Sequence, residues 1–139
     1  MKRETARKWL KQAFHDLLMA EKIITIGGYD VAAFLAHQAV EKLLKSMCII
    51  RSNQVPRTHH LDELARDLDL PDTVFTIIYE LIPDYTFSRY PDVSDLVPYE
   101  QYTESVASAK VAAAKRVFDL VQKEYEDILD ETDDPGSVD

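Results

Sequence analysis

Apolar residues along this chain recur at spacings of three and four, and nowhere does a run of β-branched residues alternate with polar ones. That single pattern excludes a sheet and predicts an all-α chain built from amphipathic helices. The spacing predicts a first helix from about Thr5 to Ile26, burying Ala6, Trp9, Leu10, Ala13, Leu17, Ala20 and Ile24 and leaving a strongly basic opposite face. Gly27 and Gly28 follow, offering the positive φ of a helix C-cap and a tight turn, so the next helix should return antiparallel. Asp30 is placed to N-cap that second helix, which should reach about Ile50. Ala32, Ala33, Ala36 and Ala39 would let other backbones come close. The second helix is apolar around most of its circumference, which makes it central and calls for a covering surface beyond one bundle; a homodimer is the natural supplier.

Pro56 and the polar run RSNQVPRTHH interrupt the helical pattern. A short helix should span Leu61–Leu68, and a fourth should start at Pro71 and stop near Ile82, with Val74, Phe75, Ile78 and Leu81 inward. Residues 83–102 hold Pro83, Pro91, Pro98 and four tyrosines, which predicts an ordered loop packed on the bundle. A last helix from about Thr103 to Leu129 should bury Val106, Ala109, Ala113, Val117, Leu120 and Ile128. The expected architecture is one domain over residues 1–130, an antiparallel up-and-down bundle of about five helices with a four-helix-bundle core, followed by an acidic disordered tail at 131–139.

Charge and cysteine content bound the function. The net charge of −9 argues against strong nonspecific nucleic-acid binding, yet it is divided: residues 1–60 carry +5 and residues 61–139 carry −14. A local basic face is therefore possible only in the first half. Cys48 is the only cysteine, so no disulfide framework or CxxC metal site forms within one chain. The longest apolar stretch, Val31 to Ala36, is far short of the roughly 20 residues of a membrane span, so a cytoplasmic protein is expected.

Three places could carry chemistry. On the second helix His37, Gln38, Glu41, Lys42 and Lys45 fall within an arc of about 140°, where the lysines could face phosphates and Gln38 read a base edge. The plainer reading is a solvated face steadied by a Glu41–Lys45 pair, and spacing alone favours it. Arg57, Thr58, His59 and His60 precede a helix start, where Thr58 could cap and an anion could bind; adjacent histidines without a third ligand give no metal site. Arg89, Tyr90, Pro91 and Asp92 pair a guanidinium fork with a stacking ring, or simply clasp their own loop. No nucleophile elbow, P-loop, HExxH or dinucleotide fingerprint occurs, and no cofactor is implied.

Taken in order, WLKQAFHDLLMAEKI, GGYDVAAFLAHQAVEKLLKSM, PRTHHLDEL, SRYPD and the long final helix resemble the HEPN family from Trp9 to Leu129. The resemblance implies a five-helix bundle, usually a homodimer, often working beside a minimal nucleotidyltransferase as half of a toxin–antitoxin pair. It makes the strip and the two loops one nucleotide- or anion-binding groove: His37, Gln38, Glu41, Lys42, Lys45, Arg57, His59, Arg89, Tyr90 and Asp92. Many HEPN members are metal-independent ribonucleases whose motif is an Arg and a His separated by four to six residues. Here Arg7 and His15, like Arg51 and His59, are separated by seven, while Arg57 lies one or two residues from the loop histidines. Catalysis is thus the alternative to ligand or partner binding, and would need Arg57, His59 and Arg89 to converge in space.

Overall fold

The computed structural model describes residues 2–130, which are helical with no strand among them. Helix α1 spans Lys2–Ile24, α2 Tyr29–Ser52, α3 Leu61–Asp67 and α4 Asp72–Leu81. Two one-turn helices follow, α5 (Asp84–Phe87) and α6 (Pro98–Gln101), then α7 (Glu104–Leu120) and α8 (Gln122–Leu129). The expected tail at 131–139 lies outside the described residues.

The α1–α2 turn is closed by paired backbone bonds, Gly28 N to Ile23 O at 3.0 Å and Gly27 N to Ile24 O at 3.0 Å. These are the two bonds of a Schellman cap around a left-handed Gly27 at φ +83°. Gly28 is not left-handed, at φ −83°; a Cβ there would meet Ile23 Cγ1 at 2.7 Å, so its smallness serves close approach. Gly28 itself precedes α2, and Asp30 sits inside the first turn rather than at the cap. There its carboxylate still complements the positive helix end. At its other end α2 stops on Asn53 at φ 58°, whose N–H bonds Ile49 O at 2.8 Å.

Helix α2 touches every other helix. Ala32, Ala33, Ala36 and Ala39 are fully buried, as their small size requires where backbones pack closely. Leu43, Leu44, Ile49, Leu61, Leu64, Ile78, Leu81 and Ile128 complete the core, each such side chain contributing roughly 1.5–3 kcal/mol of burial. Its own chain covers α2, so the apolar circumference of this helix does not by itself call for a second copy to shield it. On α1 the stripe is narrower than expected: Trp9, Leu17 and Ile24 are half-buried, while Asp16 is buried.

Two expectations fail at the C-terminal end. The single last helix is broken at buried Val121 (φ −106°, ψ 15°), and its inward face differs. Val106, Ala109 and Leu120 are exposed, whereas Ala107, Val111, Ala114 and Phe118 are buried alongside Ala113 and Val117. An alanine-rich helix offers two nearly equal apolar stripes, and the one containing Phe118 wins because its ring packs on Phe14 at 5.2 Å, beside Tyr125. Residues 83–102 are less irregular than expected, since Pro83 and Pro98 begin one-turn helices, their fixed φ suiting a first turn. No helix among the described residues is long and apolar enough to cross a membrane.

Candidate functional site

The polar strip of α2 is not a solvated face. His37 is 1%, Glu41 3% and Lys45 4% exposed, with His37 against Tyr85 of α5 and Glu41 against His59 of the 57–60 loop. Buried charge of this kind survives only when paired, and Glu41 is the hub of the pairing. Its Oε2 forms an ion pair with Lys45 Nζ at 3.0 Å, one turn along the same helix, and lies 3.0 Å from His59 Nδ1 of the loop. His37 Nδ1 stands 3.9 Å from Glu41 Oε1, and neither atom has a hydrogen-bond partner. Burial lowers His37 to about 4, so the ring is neutral at physiological pH; the Glu41 charge works against that shift without reversing it. Lys45 also lies over the Trp9 ring, 5.6 Å from its centroid.

Above this cluster the loop and α5 form a layered stack. The His59 ring, half exposed at 52%, lies on Tyr85 with centroids 4.9 Å apart and planes 22° from parallel. The Arg89 guanidinium covers Tyr85 at 4.1 Å and approaches the Phe34 ring at 5.1 Å. Arg89 Nε donates to Tyr85 O at 2.9 Å and its Nη2 to the Tyr90 hydroxyl at 2.7 Å. Between residues 57–60 and Ile82, Tyr85 and Thr86 opens a cleft of about 340 Å³ lined by Arg57, His59 and His60. A larger hollow of about 430 Å³ on the α7–α8 surface holds only flexible side chains such as Lys123, Glu124 and Glu126, with no buried polar group to organise a ligand.

An anchor beneath the stack holds α5. Asp84 is buried, accepts from the Tyr102 hydroxyl and forms an ion pair with Lys110 Nζ at 3.1 Å. Burial raises the Asp84 carboxyl above its ordinary value, opposed by its hydrogen bond from Tyr102 and by Lys110, and burial likewise raises the Tyr102 hydroxyl. Nothing in local sequence spacing joins Asp84 to Tyr102 and Lys110.

The structure brings His37, Glu41, Lys45, His59 and Arg89 together, with Arg57 lining the cleft beside them and Tyr90 at the edge of the stack. It does not bring Lys42 there. Lys42 turns to α1 and pairs with Asp16, which also accepts from Gln12 at 2.8 Å, and it lines a separate hollow with Lys8 and Trp9. Gln38 is half-buried, and Asp92 is exposed in the turn after the stack. The expected anion seat at the start of α3 is already furnished with carboxylates. Thr58 Oγ1 accepts from His60 N at 3.0 Å and donates to Glu63, while Asp62 and Glu63 fill the first turn. Among the described residues no group of three or more His, Cys, Asp or Glu could hold a metal ion.

The model of the HEPN domain matches residues 6–125. TT1696 from Thermus thermophilus aligns with a TM-score of 0.80 and 32% identity, covering 89% of this chain and 99% of that one. ST0689, described as an archaeal HEPN homologue, aligns with a TM-score of 0.73 and 32% identity over 86% and 96% of the two chains. No curated protein matched. A family match over most of the chain, with solved relatives at 32% identity that share the fold over nearly their whole length, makes this protein a member of the HEPN domain family.

Proposed function

We propose that this HEPN domain binds a nucleotide in the cleft between the 57–60 loop and α5, and that it works as a homodimer paired with a minimal nucleotidyltransferase. The observation that carries the reading is the His59–Tyr85–Arg89 stack built over a buried Glu41 whose Oε2 faces both Lys45 and His59, with Arg57 beside it on a cleft of about 340 Å³. That volume lies within the roughly 300–1,000 Å³ range of small-molecule sites. A flat, partly exposed imidazole gives a base something to stack on, and a guanidinium gives a phosphate two parallel donors. The nucleotidyltransferase partner and the dimer come from the family resemblance. Calorimetric titration of the purified protein with ATP should show saturable binding that is lost in Arg57→Ala and in Tyr85→Ala. Absence of binding, together with failure to co-purify with a neighbouring nucleotidyltransferase, would sink the proposal.

A second reading, metal-independent RNA cleavage, is favoured by one feature. His59 is held against a buried carboxylate while half of its ring stays open, the arrangement of an imidazole prepared to move a proton. Arg89 is bonded to Tyr85 and Tyr90, so Arg57 is the guanidinium left to face phosphate on the cleft itself. Incubation of the protein with single-stranded RNA should then give fragments that disappear in His59→Ala, and uncut RNA would eliminate this reading.

A further inference from the structure

Glu41 is unusual for a charged residue in the middle of the central helix: it is 3% exposed, and an ammonium and a loop imidazole converge on one of its oxygens. Lys45 Nζ lies 3.0 Å from Oε2 and balances the carboxylate charge within the buried layer. A carboxylate can only accept, so the 3.0 Å bond from the loop requires the proton to sit on His59 Nδ1. Stacking on Tyr85, itself under Arg89, leaves the ring little freedom to flip and offer its other nitrogen. His60, the neighbouring imidazole, is exposed and has no part in this contact.

We propose that Glu41 is a positioning residue that holds a ring proton of His59 on Nδ1, so that Nε2 of the neutral form presents a lone pair to the cleft and accepts a hydrogen bond from a hydroxyl or amino group of the ligand. The division of labour within the cleft follows. Arg57 supplies the donors that a phosphate needs, and His59 supplies the acceptor that a ribose hydroxyl or an exocyclic amine needs. The mechanism is the general one by which an outer carboxylate selects the tautomer and orientation of a working imidazole. The ligand half of the inference rests on the nucleotide-binding reading; the tautomer half does not.

The test begins with ligand-free protein carrying ¹⁵N-labelled histidine. Long-range proton–nitrogen correlation, at a pH where the rings are neutral, should show His59 with a protonated Nδ1 and an unprotonated Nε2. Replacing Glu41 alone would strand Lys45, so the informative variant is Glu41→Leu with Lys45→Met, which removes both charges and leaves no acceptor opposite His59 Nδ1. In that double variant His59 should shift toward the Nε2–H tautomer while circular dichroism stays helical. Affinity for ATP should weaken roughly three- to tenfold, the effect of one hydrogen bond. Glu41→Asp with Lys45 intact should restore much of the Nδ1–H form. A wild-type His59 found as the Nε2–H tautomer, or one unchanged in the double variant, overturns the proposal. Absence of ATP binding by the wild-type protein would instead remove the nucleotide reading and leave the tautomer result to judge Glu41 by itself.

Discussion

Lys45→Met should be among the most damaging single changes to this fold, and the structure gives the size of the effect. Lys45 and Glu41 side chains are 5% and 4% exposed, with Nζ and Oε2 3.0 Å apart. Methionine fits the space of the lysine stem but leaves the Glu41 carboxylate in the protein interior with only His59 as a donor. Removing one partner of a buried pair costs about 3–5 kcal/mol, because the remaining charge is uncompensated. His59 is half exposed and can still donate, so the lower end applies, about 3 kcal/mol. For a chain of this size that corresponds to a fall in Tm of roughly 10 °C. Urea unfolding followed by circular dichroism measures it directly, as a drop in midpoint with an unchanged slope. The companion variant Glu41→Gln with Lys45→Met should recover most of the loss, since two uncharged groups of similar volume replace the pair. A single variant within about 0.5 kcal/mol of wild type, or a double variant as unstable as the single, would show that the pair is not desolvated as the geometry requires.

Other perturbations separate stability from binding. Burial lowers His37 to about 4 from 6.5, so the unfolded chain takes up this proton first and stability falls as pH drops through that interval. The stability of wild type relative to His37→Leu should therefore fall by about 2 kcal/mol from pH 7 to pH 5 in chemical unfolding. Asp84, raised by burial, contributes a slope of the opposite sign above its unfolded value, which is why the variant difference rather than the raw profile is the measurement. Lys42→Ala strands Asp16, 7% exposed, against Gln12 alone, and should cost about 1–2 kcal/mol while leaving ATP affinity unchanged. Arg57→Ala should do the reverse, and weakened ATP binding in Lys42→Ala would put that lysine back in the site. Gly27→Ala, at φ +83° with nothing near its Cβ, should cost about 1–2 kcal/mol of unfolding free energy from backbone conformation alone.

How far the fold was readable depended on whether a local rule had a competitor. The α1–α2 hairpin was legible because Gly27, the alanines of α2 and the apolar stripe all point the same way. The face of α7 was not. In VASAKVAAAKRVF two apolar stripes differ by little more than which includes Phe118, and only the partner rings Phe14 and Tyr125 decide between them. Likewise Val121 is a good helix residue by pattern, yet its backbone departs from the helix at φ −106° and ψ 15° while its side chain stays buried. Tertiary packing overrides a weak local preference at that point.

The site shows the opposite difficulty, in which the residues were identified and their environment was misjudged. Glu41 and Lys45 at i and i+4 look the same in sequence whether solvated or buried, because the pair satisfies itself in either setting. What buries them is remote: the 57–60 loop contributes His59, and α5 contributes Tyr85 beneath Arg89, held in place by Asp84 against Lys110 and Tyr102. Those contacts also explain why Lys42 separates from its neighbours. One residue past Glu41, it is turned by about 100° toward α1, where Asp16 compensates its charge. A helix central to the bundle has no outward side on which to park five polar residues. Each must be matched to a different neighbour: Glu41 meets His59 of the loop and His37 meets the Tyr85 ring of α5, so both lie beneath the residues that line the cleft rather than on its surface.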